Sequence, residues 1–467
     1  MRTVSITLMM TVALSGIVLA AEPGPVVQPT TIPGEWKLVD DQQFPPIEQI
    51  VKRPAAALPV YGLYAWTGEY SEHRDSIKKI GLKSMRIGGP FDDEAMKMAC
   101  QDGIEIMKTL GVRVHGENRN RTFYDSDEAF LKDNVAGIVA FLERYGPDGT
   151  FFKDNPDVPK LPITNIEIWN EPNFQYMIPD REPRAEVEAE REALYTKVIV
   201  AAHKAVKTRW PNVNVLGFGA GGASKGDIRF IKHVHEKDAA VAKSYDALST
   251  HPYTAPVGPD MFYVKPWGGY AVAPCLAEIR AILAQHGRGD VPIWYTEVGY
   301  PISKEDGGHF ATDPKKPHVS PLLQAAYVCR MYAIALRLGI ERVHIMFATD
   351  TDNFNGGFFL RDKSWRPQAY AVATMIRTMP NPKLQAAISD GKDGLFAYRF
   401  APDAAKAADA KPVIMAWNVA GPKTVEIPVG GPQAKVLDMF GHEKAVEVKD
   451  GKATIEVGPC PVYVVQE

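Results

Sequence analysis

Between residues 58 and 380 short apolar runs alternate with longer stretches of helical periodicity, and no other feature restricts the fold of this chain as strongly. Strands read at 59–66, 83–88, 112–116, 163–169, 214–218, 247–252, 292–296 and 342–348, which makes eight. A helical pattern follows each; the clearest places Leu194, Val198, Ala201 and Ala205 at three- and four-residue steps. Parallel strands joined by helices either close into a barrel or stay open as a doubly wound sheet. An open sheet usually carries a glycine-rich turn after its first strand, and Ala65-Trp66-Thr67-Gly68 is not one. Gly217-Phe218-Gly219-Ala220-Gly221-Gly222 does follow a strand, but it lacks both a Lys-Ser/Thr pair and an acidic ribose partner. It reads as a tight loop over a binding site. The expected fold class is α/β, an eight-stranded (β/α)8 barrel.

After Met379-Pro380-Asn381-Pro382 only strand patterns follow, seven of them, at 395–400, 413–418, 424–429, 435–438, 445–448, 453–457 and 461–465. Lys449-Asp450-Gly451-Lys452 is a two-residue hairpin signal. These strands predict an antiparallel β-sandwich over 381–467 packed on a barrel over 58–380. A length of 467 residues suits a barrel of roughly 250 to 330 residues plus a smaller module. Residues 21–57 form an N-terminal extension whose Gly34–Val39 stretch is expected to be a strand joining the sandwich.

Met1-Arg2 precedes an apolar run from Val4 to Leu19, and Val18-Leu19-Ala20 before Ala21 reads as a secretory cleavage site. An uncleaved anchor is the alternative reading of this short run. Residues 1–20 are thus expected to be a signal peptide, leaving an exported protein, secreted or periplasmic, with no membrane span after cleavage. A formal charge of -3 is near neutral for this length and gives no reason to expect a nucleic-acid partner. Cys100, Cys275, Cys329 and Cys460 lack metal-ligand spacing and read as buried thiols, with Cys275 and Cys329 the pair to test for a disulfide.

The chemistry is concentrated where strands end. Ile166-Glu167-Ile168-Trp169-Asn170-Glu171-Pro172-Asn173 is an apolar strand stopped by a proline, which leaves Asn170 and Glu171 at its carboxyl end. Barrel enzymes keep their reacting groups there. A carboxylate flanked by an amide and an indole suits protonation of a leaving oxygen. Pro292-Ile293-Trp294-Tyr295-Thr296-Glu297-Val298-Gly299-Tyr300 supplies a second carboxylate, Glu297, in the same setting.

Both segments resemble the active-site strands of the clan of retaining glycoside hydrolases built on (β/α)8 barrels. In that clan Asn-Glu-Pro ends the fourth strand and carries the acid/base, and a Glu ending the seventh carries the nucleophile. The Trp-Asn-Glu-Pro-Asn wording is similar to family 39, whose members include β-xylosidases, α-L-iduronidases and exopolysaccharide hydrolases. The resemblance implies Glu171 as acid/base, Glu297 as nucleophile, and double displacement at an O-glycosidic bond through a covalent glycosyl-enzyme. It implies an oligo- or polysaccharide substrate, with no cofactor and no metal. A carbohydrate-binding barrel without catalysis is the alternative, and the oligomeric state stays open.

Further residues are expected at the same mouth. Arg86, ending the second strand, can hold Glu297 ionised through a charge-assisted hydrogen bond, or form an ordinary rim ion pair. His115 ends the third strand as read, beside Glu117 and Asn118, and is assigned a sugar hydroxyl in preference to a metal. Asn170 is assigned the hydroxyl next to the anomeric carbon. His251-Pro252-Tyr253 is similar to clan His-x-Tyr endings that set a tyrosine hydroxyl on the nucleophile; a core His and a packing Tyr are the alternative. Trp66, Trp267, Tyr270, Tyr300 and Trp365 fall on loops from which they can stack on sugar faces or simply pack. Many relatives end the eighth strand in Trp, but this chain has Met346-Phe347-Ala348, so Phe347 or Trp365 is expected to supply the floor of the reacting subsite.

Overall fold

The computed structural model describes residues 60–466 apart from 112, 115–116, 119, 175, 222–224, 261–271, 311–317, 353 and 403–410. The leader and the Gly34–Val39 strand expected to join the sandwich therefore lie outside the described residues. Among those described, no helix is long and apolar enough to cross a membrane.

Eight parallel strands close into a barrel in the order β1-β10-β9-β8-β7-β6-β3-β2. They are β1 (Tyr61–Trp66), β2 (Ser84–Gly88), β3 (Glu105–Leu110), β6 (Asn165–Ile168), β7 (Asn214–Gly221), β8 (Ala247–His251), β9 (Ile293–Val298) and β10 (Arg342–Met346). A two-stranded hairpin, β4 (Arg113–Val114) with β5 (Glu117–Asn118), follows β3 outside the barrel. Helices return the chain between strands, and their starts obey ordinary capping: Asp92 accepts from Ala95 N–H, and Ser320 accepts from Leu323 N–H ahead of Pro321.

The third strand lies one element earlier than the sequence pattern suggested. Residues 112–116 alternate in a strand-like way, whereas Glu105–Leu110 carries Lys108 and Thr109 in its second half. In the barrel Lys108 Nζ donates to the carbonyls of Ile87 and Gly89 at 3.1 and 2.7 Å, so its charge is satisfied below the rim. Gly111, at a φ of 102°, then turns the chain out of the sheet. The glycine run that begins at Gly217 is likewise strand and not loop. Most of it is the end of β7, where the pairing to β8 shifts between Gly217 and Ala220.

Alternation along the strands separates two interiors. Leu63, Met85, Ile87, Ile166, Ile168, Val343 and Ile345 point outward into the main core under the helices. The lumen is plugged at its amino-terminal end by Met107, Leu216, Ala247 and Trp294. Above that plug it is polar, with Ser84, Arg86, Glu167, Thr296 and His344 all buried.

The C-terminal strands β11 (Pro382–Asp390), β12 (Leu395–Pro402), β13 (Val413–Asn418), β14 (Lys423–Pro428), β15 (Gln433–Leu437), β16 (Glu443–Lys449), β17 (Lys452–Val457) and β18 (Val462–Gln466) form one antiparallel sheet curled on itself. Ala397, Ile414 and Ala416 pack inside against Val425, Ile427 and Ile455, the sandwich expected from the sequence. Strand β11 is the addition: only two of its nine side chains, Leu384 and Ile388, are large and apolar, and it pairs along the edge of β12. Asp450 and Gly451 both take positive φ, 49° and 73°, as a tight I′ hairpin between β16 and β17 requires.

The outer face of β12 and β13 sits on the barrel through Phe396, Tyr398 and Trp417. A buried ion pair is shared across this junction. Arg330 forks Asp260 with two contacts of 2.6 Å, and Trp417 Nε1 donates to the same carboxylate at 2.6 Å. Cys100, Cys275, Cys329 and Cys460 are all free thiols, so the proposed Cys275–Cys329 pair is not bonded.

Candidate active site

The polar lumen opens upward into a cavity of about 930 Å³ lined by Tyr64, Trp66, Arg86, Asn170, Glu171, Tyr176, Glu297 and Phe347 among others. Glu171 and Glu297 face each other there. One ligand atom from each and one from His251 lie within 4.8 Å of one another.

Local backbone explains how Glu171 is presented. Strand β6 ends at Ile168, and both Trp169 (φ 69°) and Glu171 (φ 44°) then enter the left-handed region that side chains normally avoid. The surrounding bonds hold this geometry: Trp169 N–H donates to Leu110 O at 2.8 Å, and Glu171 N–H donates to Gly219 O at 2.9 Å. The β7 bulge therefore serves as a backing for Glu171. His251, the last residue of β8, places Nδ1 3.0 Å from Glu171 Oε1. Burial lowers its imidazole pKa, but the charges of Glu297 and Glu171 outweigh this and raise it above the ordinary value.

Glu297 is held from two sides. Arg86 Nη1 donates to Oε2 at 2.7 Å, and the Tyr253 hydroxyl donates to Oε1. Burial and the neighbouring Glu297 and Glu171 carboxylates push the Tyr253 phenol well above its usual pKa, so it remains a donor. Arg86 Nη2 also donates to Asn170 Oδ1 at 2.6 Å, which orients the amide. Beneath it the Tyr64 ring lies 4.3 Å from the guanidinium carbon.

Glu167 is the residue that strand-end reasoning passed over. It is fully buried and takes Arg86 Nε and Nη2 on Oε2 at 3.0 and 2.7 Å. Thr109 and Thr296 hydroxyls donate to it at 2.8 and 2.6 Å. Burial raises its pKa, yet Arg86, His251 and these hydrogen bonds win, and it falls to about 2. Its signal was in the strand: alternation sends Ile166 and Ile168 outward, so Glu167 points into the barrel, where a carboxylate needs a cation.

Other expected residues divide clearly. Trp66 and Phe347 line the cavity, and Phe347 packs on Tyr64 at 4.8 Å and on Phe354 at 5.7 Å. Tyr300 and Trp365 take the packing alternative. Tyr300 is buried against Tyr327 and within 3.4 Å of the Thr254 hydroxyl, and Trp365 is buried against Tyr370 and Phe359. Neither lines the cavity. An aromatic following a strand satisfies the helix-facing core as readily as the mouth, and here the core takes both. Trp267, Tyr270 and His115 lie outside the described residues; the strand assigned to end at His115 ends at Leu110 instead.

Glu171, His251 and Glu297 have the donor types of a metal centre. Their partners argue otherwise: Arg86 and Tyr253 occupy the two Glu297 oxygens, and His251 Nδ1 is paired with Glu171. A cation would have to displace these bonds and sit beside a guanidinium. The set fits an acid–base pair.

No family model matches the chain, and no curated protein does. Solved structures do. A family 39 glycoside hydrolase from the gut symbiont Bacteroides cellulosilyticus WH2 is 19% identical with a TM-score of 0.61, covering 90% of this chain and 82% of that one. A monomeric β-xylosidase from Caulobacter crescentus CB15 is 13% identical with a TM-score of 0.53, covering 88% and 96%. A 4-O-α-L-rhamnosyl-β-D-glucuronidase from Fusarium oxysporum 12S is 14% identical with a TM-score of 0.55, covering 91% and 98%. At these identities the similarity is one of fold over nearly the whole described chain.

Proposed function

We propose that this chain is an exported retaining glycoside hydrolase that cleaves an O-glycosidic bond of an oligo- or polysaccharide by double displacement. The observation that carries the proposal is that one carboxylate oxygen of Glu171 and one of Glu297 lie within 4.8 Å of each other at the carboxyl ends of β6 and β9. That proximity supports retention, in which the carboxyl groups stand about 5 to 5.5 Å apart; inversion needs roughly 6.5 to 9.5 Å to admit a water. The solved structures of similar fold include glycosidases, which supports the same reading.

In the first step Glu297 attacks the anomeric carbon while Glu171 delivers its proton to the departing oxygen. The C1–O bond breaks as the C1–Glu297 ester bond forms. Arg86 and Tyr253 keep Glu297 charged and aimed until then. Asn170, oriented by Arg86, meets the neighbouring hydroxyl as positive charge develops on the ring. In the second step Glu171 removes a proton from water, the water oxygen attacks C1, and Glu297 leaves as carboxylate with the configuration restored. His251 positions Glu171 through both steps. Export rests on the apolar run before Ala20.

The test separates the two carboxylates. A panel of aryl glycosides, including xylosides and glucuronides, identifies the sugar turned over by the unmutated protein. On that sugar, Glu171→Ala should retain turnover of activated aryl glycosides, and azide should intercept its intermediate with retained configuration. Glu297→Ala should be inactive on activated and natural substrates alike. Binding of glycans with no turnover of any would favour the carbohydrate-binding alternative.

A further inference from the structure

Phe123, Phe174 and Tyr176 are the large hydrophobic side chains left exposed among the described residues, at 67%, 39% and 47%. Two of them follow Glu171 by three and five positions. The third is on a turn tied to the same segment, because Arg121 N–H donates to Met177 O at 2.9 Å. Exposed aromatics close after Glu171 in the chain need a reason, since burial of each ring elsewhere would be favourable.

Their placement relative to Glu171 supplies one. A Cβ added to Gly221 would collide both with Glu171 Oε1 and with Phe174 Cε2, so the ring edge and the carboxylate flank the same glycine. Tyr176 lines the cavity, where burial first and then the charges of Glu171 and Glu297 raise the pKa of its phenol. The residues on either side of the rings are tied down. Phe174 N–H donates to Glu171 O at 2.9 Å, and Asn173 Oδ1 accepts from Gly221 N–H at 3.1 Å while its amide donates to Asp227 at 2.6 Å. Buried Arg191 donates to Ile178 O at 2.9 Å at the far end. A ring carried on tethered backbone loses less freedom when a sugar stacks on it.

We infer that Phe174 and Tyr176 form the leaving-group site, and that the group released by Glu171 is a sugar ring presenting an apolar face, hence that the substrate is a glycan chain. This rests on the glycosidase reading above. A proton donor must stand beside the departing oxygen, so the group attached to that oxygen lies on the outward side of Glu171, where these rings are exposed. The same site receives an acceptor in the reverse sense. A sugar hydroxyl held there attacks C1 of the glycosyl-enzyme, its proton passes to Glu171, the C1–Glu297 bond breaks, and a new glycosidic bond forms in place of hydrolysis.

Partition of the glycosyl-enzyme between water and an added sugar measures the site directly, because Glu171 acts as base in both branches and cancels from the ratio. The enzyme is loaded with the responsive aryl glycoside in the presence of a free monosaccharide acceptor, and transfer and hydrolysis products are counted. Phe174→Ala and Tyr176→Ala should each lower the transfer-to-hydrolysis ratio by about tenfold, the effect of losing one ring contact. Phe174→Leu, which keeps an apolar side chain at the site, guards against misfolding of the alanine variant and should fall in between. Turnover with an unchanged ratio in all three variants overturns the leaving-group site and leaves the glycosidase reading intact. Absence of turnover in the unmutated protein overturns both.

Discussion

Glu167→Gln is isosteric, and Glu167 is buried and does not line the cavity, yet the change should impair both folding and chemistry. Arg86 uses Nε and Nη2 on Glu167 and Nη1 on Glu297, so the guanidinium is stretched between two carboxylates. A neutral amide can return one acceptor but not the charge, which leaves Arg86 balanced by Glu297 alone. Removing one member of a buried ion pair costs about 3–5 kcal/mol. The depression of the Glu167 pKa from 4.5 to about 2 points the same way and corresponds to roughly 3 kcal/mol. The sign follows from the direction. A depressed carboxylate contributes stability that is complete above its unfolded pKa and is lost as pH falls through about 2. Urea unfolding at neutral pH should therefore separate the two proteins by about 3 kcal/mol, and the gap should narrow between pH 5 and pH 2. Arg86 freed from its anchor also releases Asn170 and Glu297, so turnover should drop about 10- to 100-fold, the loss of one charge-assisted hydrogen bond. Equal stability at neutral pH together with unchanged turnover would mean that Arg86 needs no second carboxylate.

Tyr253→Phe removes the hydroxyl on Glu297 and should lower kcat by about 10- to 100-fold with little change in KM, measured by initial rates on an aryl glycoside. Arg86→Ala should do the same more severely; an effect confined to KM would move Arg86 to substrate binding. Asp260→Asn breaks the ion pair under Trp417 and should cost about 3–5 kcal/mol in urea unfolding while the folded enzyme keeps its kcat, since this junction contributes no group to the cavity.

Much of this architecture can be read from the chain because its physics is local. Seven of the eight barrel strands are marked by apolar runs of the right length, and the reversal at Asp450-Gly451 is fixed by the two positive φ values it needs. The third strand escaped because Lys108 and Thr109 interrupt its apolar character, and the carbonyls that satisfy the lysine come from β2 and the turn after it, which only the closed barrel brings near. Strand ends announced Glu171 and Glu297, since a carboxylate between an apolar strand and a proline or glycine has few other places to be. Tyr300 and Trp365 could not be sorted by the same logic, because burial and stacking ask for the same residue types. Glu167 was legible in principle, as a charge on the inward face of a strand, but its partner Arg86 is 81 positions away in sequence and is identified only by the strand order.

The central claim is that Glu297 forms a covalent bond to the sugar while Glu171 manages the proton. Trapping tests it most directly. A 2-deoxy-2-fluoro glycoside of the responsive sugar with a good leaving group destabilises the transition states of both steps, so that the intermediate accumulates, and peptide mass spectrometry then locates the added glycosyl group. The account predicts one equivalent of label on the peptide containing Glu297, lost on incubation with an acceptor sugar. Label on Glu171, or an unlabelled enzyme that releases the inverted anomer from its natural substrate, would contradict it.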